Sequence, residues 1–335
     1  MTALEWIREF ETYLTVVKNR STNTVRSYVY DVESLYRFVT TGDLGKARYR
    51  TPVIESALDW ADFTEEKAAD YVRAQKQSGA RDTSTARKIY ALRQFFKFLR
   101  KKNAAPGDPF AEMELHAIRR KLPATLSVNE MNQLLSRIRE PLQALLGVPN
   151  EQGLLLIRDR AMLETLYSAA LRVSELCAVN WQDIDWNKRE LRVIGKGNKE
   201  RICPLGQKAL EGLLEYQHHY ENHWERKPDG PAPVFLSMWD RRINQRTIPR
   251  TIGKWCQAAG VKRVNPHAFR HSAATHMLEN GADIRVIQRL LGHASIITTE
   301  IYTHVEMRKV KTVHTNIYKA GTSSLDNPVS RENSK

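Results

Sequence analysis

The sequence predicts a mainly α-helical protein of two domains, interrupted by one small antiparallel β-hairpin. Three observations carry that expectation. Apolar residues recur at helical spacing along most of the 335-residue chain. Period-two alternation is confined to "DIDWNKRELRVIGKGNKERICPL", where Leu191 and Val193 alternate with Arg192 and Ile194 between tight turns. A proline-bearing stretch, "NAAPGDPFAEMELHAIRRKLPA", keeps no sustained helical period and separates two structured regions, placing a boundary near residue 120.

In chain order, the first clear helix is expected over about 21–39, with Val25, Val32, Leu35 and Phe38 on one side, and the next over about 64–77, ending before Gly79. The third carries an apolar stripe of Ile89, Leu92, Phe96 and Leu99. Its remaining face holds Arg87, Lys88, Arg93, Lys97, Arg100 and Lys101, and no acid occurs between Asp82 and Asp108. Like charges on one face repel unless an anion lies against them, so these six are the candidate phosphate contacts; a plain solvated surface is the alternative. After the linker, Ser127 and Glu130 form a capping-box pattern that opens the second domain. Helices continue through "LLLIRDRAMLETLY" to the hairpin. Further on, Asn265 and Pro266 have the chemistry of a helix start. Gly292 then ends one helical pattern and Ser295 caps another, on which Ile297, Ile301 and Val305 form the stripe and Tyr302 stands off it. The polar end "GTSSLDNPVSRENSK" reads as a disordered tail.

Lysine and arginine outnumber aspartate and glutamate 52 to 38, a formal charge of +14, which points to a large polyanion. Nucleic acid fits better than an acidic membrane, because the start "MTALEWIREFETYL" has no apolar signal core and no later run is long enough to span a bilayer. A cytoplasmic protein is expected. Cys177, Cys203 and Cys256 are odd in number and widely spaced, which suits reduced core thiols rather than disulfides or a zinc site. His267, His271 and His276 in "HAFRHSAATH" lack the acidic companions of a metal-binding motif, so no metal is expected.

Beside Tyr302, five positions stand out: Arg172 in "LRVSEL", Lys196 between glycines in "GKG", His267 and Arg270 in "HAFR", and His293 in "LLGH". Each has an ordinary reading as a salt-bridge partner, a turn residue or a helix cap, and Tyr302 as a core-edge aromatic. Local patterns add some weight. His267 and Arg270 lie one turn apart at a helix N-terminus, which favours a bound phosphate.

Taken in order and spacing, "LRVSEL", "VIGKGNKER", "HAFRHSAATHMLENGADIRVIQRLLGH" and "TTEIYTHV" resemble the tyrosine recombinases, or phage integrase family, and most closely their Xer-type branch. The likeness is specific over about 155–310 and looser over 1–120. It implies a C-shaped two-domain DNA clamp: a helical, SAM-like core-binding domain (1–105), a linker (106–124), a catalytic domain (125–318) and the tail (319–335). It also implies a site-specific recombinase that cuts and rejoins double-stranded DNA through a 3′-phosphotyrosyl link, in dimer resolution or the integration and excision of a mobile element. Carried over by motif, Tyr302 is the nucleophile, surrounded by Arg172, Lys196, His267, Arg270 and His293. The two arginines then stabilise the non-bridging oxygens, Lys196 protonates the leaving 5′ oxygen, His267 carries a proton near Tyr302, and His293 supports the phosphate. Neither cofactor, metal nor ATP is implied. Such enzymes act as homo-tetramers, or hetero-tetramers with a related recombinase, on paired sites, and the segment with Val310, Val313 and Ile317 suits a subunit contact. A catalytically silent DNA-binding relative is the alternative; a relaxing topoisomerase fits less well. One departure concerns the first arginine: where the family has glycine in Thr-Gly-Leu-Arg, this chain has Ala170. If that position has positive φ, alanine there costs about 1 kcal/mol and bears directly on Arg172.

Overall fold

The computed structural model describes residues 1–44, 58–113, 125–145, 151–195, 199–228 and 230–292. The chain divides into two compact units, Met1–Lys121 and Leu122–Lys335.

Among its described residues the first unit has helices and no strand. Helix α1 (Ala3–Thr12) starts at a reciprocal Thr2–Glu5 capping box and runs into one turn of π-helix, Tyr13–Val17. Ser21 and Thr64 accept the capping hydrogen bonds of α2 (Thr22–Thr41) and α3 (Glu65–Gln77). Helix α4 (Asp82–Lys101) buries its predicted stripe and also Phe95 and Phe98, because α1, α2 and α3 all pack on it. The core is aromatic. The Trp60 ring meets Phe95 edge-on at 5.1 Å, and its indole N–H donates to the Ala3 carbonyl at 3.0 Å.

In the second unit, the Ser127–Glu130 box opens α5 (Val128–Leu145). Helix α6 (Glu151–Ser168) is the centre, packed by α5, by α8 (Gln207–Trp224) and by α10 (Pro266–Glu279). It lacks a polar face because every residue from Ala161 to Ser168 is buried. A Cβ on Gly212 would lie 3.2 Å from the Ala161 backbone, so glycine is what lets α8 approach so closely. Short helix α7 (Val173–Ala178) leads to a three-stranded antiparallel sheet: β1 (Ile184–Asp185), β2 (Glu190–Ile194) and β3 (Glu200–Pro204), in that order. Leu191 and Val193 face the core as the alternation predicts. Helices α9 (Thr247–Ala258) and α11 (Ile284–Leu290) complete the described fold. All three cysteines are free and buried.

Candidate active site

Arg172 is delivered by the way α6 ends. The Leu171 N–H bonds back to the Leu166 carbonyl and the Ala170 N–H to that of Tyr167, the paired bonds of a Schellman termination. That motif needs a left-handed residue after the helix, and Ala170 holds φ 45° there. The family glycine therefore has a physical reason, and this chain carries the strain of an alanine in its place. Two residues on, Arg172 is extended and begins α7, its backbone N–H donating to Glu175 Oε2 at 2.7 Å.

Arg270 comes from α10. Asn265 caps that helix by accepting from the Ala268 N–H at 2.8 Å, and Pro266 occupies its first turn, as the sequence suggests. His267 is exposed in this first turn, whereas Arg270 is buried. The far side of α10 is anchored through His276, whose Nε2 donates to the Leu126 carbonyl while Nδ1 accepts from the Tyr167 hydroxyl, both at 2.8 Å. A carbonyl only accepts, which fixes this neutral tautomer. Burial lowers the His276 pKa and so favours the same form. Ser272 adds a bond from the Leu126 N–H at 2.9 Å.

The two arginines meet on one carboxylate. Glu175 is 4 % exposed; its Oε1 accepts from Arg172 Nη1 at 2.8 Å and its Oε2 from Arg270 Nη1 at 3.3 Å. A third guanidinium, that of Arg201 on β3, bridges both oxygens at 2.7 Å each. Burial alone would raise the Glu175 pKa, but hydrogen bonds from Arg201 and from the Arg172 backbone N–H hold it down at about 2. Conversely, burial and the neighbouring Arg172 lower the Arg270 pKa to about 10.

The same guanidiniums close the end of α11. Arg172 and Arg270 both donate to the Leu291 carbonyl and Arg201 Nε to that of Leu290, so cations satisfy carbonyls at the negative end of the helix dipole. Gly292, at φ 59°, ends the helix as expected. Three positive charges against one negative leave an excess of two, which favours an anion at Arg172, whose side chain is 32 % exposed.

Of the six candidate catalytic residues, Arg172, His267 and Arg270 lie within the described structure, and the two arginines are brought together. Lys196, His293 and Tyr302 lie outside the described residues, as does the proposed C-terminal subunit contact. Two members of the cluster are not singled out by the sequence. Glu175 has a usable signal, its i+3 spacing from Arg172; Arg201 sits inside the motif "VIGKGNKER" with nothing local to mark it.

The six basic residues of α4 divide. Arg87 forms a fork on buried Asp31 of α2 and also bonds Ser27; Lys88 donates to Gln75 Oε1; Arg93 holds the carbonyls of Phe110, Ala111 and Met113. These three have partners inside their own unit. Lys97, Arg100 and Lys101 are exposed and have no side-chain partner among the described residues.

The chain belongs to the phage integrase family: the Phage integrase family model matches residues 124–309, and the Phage integrase, N-terminal SAM-like domain matches 7–103. It is a tyrosine recombinase, an enzyme that cuts and rejoins DNA strands in site-specific recombination.

It is 36 % identical to the tyrosine recombinase XerC of Mycobacterium bovis, over 91 % of this chain and 96 % of that protein. Against XerC of Syntrophus aciditrophicus the identity is 32 %, covering 92 % and 96 %, and against XerD of Proteus mirabilis it is 33 %, covering 94 % and 93 %. The fold is similar to that of a lambda integrase (75–356) dimer bound to a COC′ core site, with TM-score 0.61 and 18 % identity, over 90 % of this chain and 100 % of that one. No helix among the described residues is long and apolar enough to cross a membrane.

Proposed function

We propose that Tyr302 attacks the scissile phosphate, with Arg172, Arg270, Lys196, His267 and His293 as its helpers. The tyrosine oxygen bonds to phosphorus, the bond to the 5′ oxygen breaks, and Lys196 supplies the proton that the leaving oxygen takes. Arg172 and Arg270 stabilise the charge on the non-bridging oxygens, His267 relays the proton near Tyr302, and His293 supports the phosphate. The resulting 3′-phosphotyrosyl bond conserves the energy for rejoining. The observation that carries this reading is the convergence of Arg172 and Arg270, from distant parts of the sequence, on Glu175.

Likeness over most of the chain to proteins named XerC and XerD favours a role in resolving chromosome or plasmid dimers; movement of a mobile element uses the same chemistry. Assembly as a tetramer on paired sites, of this chain alone or with a related recombinase, accompanies that role. A solved relative is described as a lambda integrase tetramer bound to a Holliday junction. Lys97, Arg100 and Lys101 are proposed backbone contacts in the first unit.

Tyr302→Phe tests the assignment by removing one hydroxyl. The substrate is a duplex selected from a random-sequence pool by binding to this chain, nicked so that cleavage traps the intermediate. The variant is expected to bind it as the unsubstituted protein does and to form no covalent adduct. An adduct with Tyr302→Phe means that another residue attacks.

A further inference from the structure

We propose that Arg201 is a positioning residue for the reaction: it fixes the Glu175 carboxylate and thereby aims Arg172 and Arg270 at the phosphate. The proposal rests on the reading that those two arginines bind the scissile phosphate.

A carboxylate turns about its last side-chain torsion at little cost, and without Arg201 Glu175 would keep three separate single-point donors, the Arg172 backbone N–H and one Nη each from Arg172 and Arg270, none of which alone fixes its plane. Arg201 supplies that plane. Its Nη1 and Nη2 reach Oε1 and Oε2 at 2.7 Å each, the bidentate geometry in which a guanidinium and a carboxylate become coplanar. Its Nε donates to the Leu290 carbonyl at 2.8 Å, and its side chain is 9 % exposed. Edge and end of the guanidinium are thus committed within the protein, which separates Arg201 from a group that meets substrate directly.

With the carboxylate held, Oε1 also accepts from Arg172 Nη1 at 2.8 Å, and Oε2 is shared with the Arg172 backbone N–H at 2.7 Å and Arg270 Nη1 at 3.3 Å. The bond to Leu290 lies one residue from the Leu291 carbonyl that those same arginines share. Arg201 therefore sets both supports on which the pair rests, the carboxylate and the end of α11. Lysine in its place would keep the charge and lose the fork, since an ammonium cannot meet both oxygens and the carbonyl in that geometry.

The test uses the full chain on two versions of the selected nicked duplex. One carries the ordinary scissile phosphate, and in the other a methyl group replaces one non-bridging oxygen, removing the charge that the arginine pair stabilises. On the phosphate, Arg201→Lys at saturating DNA is expected to slow adduct formation about 10- to 100-fold, the usual loss when a supporting partner is misplaced. On the methylphosphonate, the difference from the unsubstituted protein should shrink to about threefold or less. Arg201→Gln, which keeps a donor without charge, should repeat the pattern and provides a second route should the lysine variant not fold. Equal slowing on both substrates, or none on either, overturns the proposal. Arg172→Ala serves as the reference. If its own defect does not shrink on the methylphosphonate, the phosphate reading beneath the proposal fails; if it shrinks while that of Arg201→Lys persists, only the positioning role fails.

Discussion

Both units place arginine on a buried carboxylate, and the two results are opposite. In the first, Asp31 accepts a fork from Arg87, the one guanidinium on it among the described residues, and burial outweighs that help and raises its pKa. In the second, Glu175 accepts three guanidiniums and a backbone N–H, and these outweigh burial. One guanidinium per carboxylate ends in neutrality and serves packing of α2 on α4. Three per carboxylate leave a positive excess organised around a fixed anion, the electrostatic preparation that phosphoryl transfer needs.

The sharpest way to break this contrast is to neutralise each carboxylate. Glu175→Ala leaves three guanidiniums without their shared partner, so adduct formation is expected to vanish and the second unit to lose about 3–5 kcal/mol, read by chemical denaturation. Asp31→Asn removes a charge that burial already disfavours and leaves only the half-exposed Arg87 without its carboxylate, so a change of no more than about 1–2 kcal/mol is expected, with adduct formation by the folded protein unchanged. Similar catalytic losses for both would erase the distinction.

A smaller effect concerns the cations of α4. Replacing Lys97, Arg100 and Lys101 with glutamine should weaken binding to selected and random duplexes alike, and lower the slope of log affinity against log salt by about 0.9 for each phosphate no longer neutralised. Arg87→Gln should instead lower stability and leave the salt slope nearly unchanged; a matching fall in slope for Arg87→Gln would return it to the residues that bind DNA.

Acid should separate the carboxylates as well. The Glu175 pKa falls from its ordinary value of 4.5 to about 2 on folding, so its stabilising contribution is complete above 4.5 and is lost as pH falls toward 2. Asp31 has a raised pKa and binds its proton more readily when folded, so its titration does not oppose folding in acid. Glu175→Gln is therefore expected to show a shallower loss of stability between pH 4.5 and 2, and an unchanged acid profile would contradict the bond network. The smallest change expected is at the helix end before Arg172. Ala170→Gly relieves the left-handed strain and should raise stability by about 1 kcal/mol. An unchanged or lower melting temperature would show that the buried methyl group contributes more than the strain costs.

Tyr167→Phe is the matching control for Tyr302→Phe. The Tyr167 hydroxyl bonds buried His276, so its removal should cost about 1–2 kcal/mol and leave adduct formation intact.

Much of this fold is legible in the sequence, because local rules act through neighbouring residues. The caps at Ser21, Thr64, Ser127 and Asn265, the stripe of α4, the alternation of β2 and the ending at Gly292 follow from side chains a few positions apart. The motif order that marks the family is likewise a property of the sequence. Even the strain at Ala170 is readable as a condition, its φ being the missing fact. What the sequence does not contain is the pairing of charges between elements. Helix α4 reads as an unrelieved basic face because Asp31, which neutralises Arg87, arrives from α2, and the carbonyls that hold Arg93 arrive from the chain beyond the helix. Glu175 reads as one acid beside one arginine until β3 and α10 bring Arg201 and Arg270 to it. Helical and strand periods are set by bonds to near neighbours in the chain, whereas Coulomb interactions and hydrogen bonds depend on distance in space, and only the folded chain decides which charges meet.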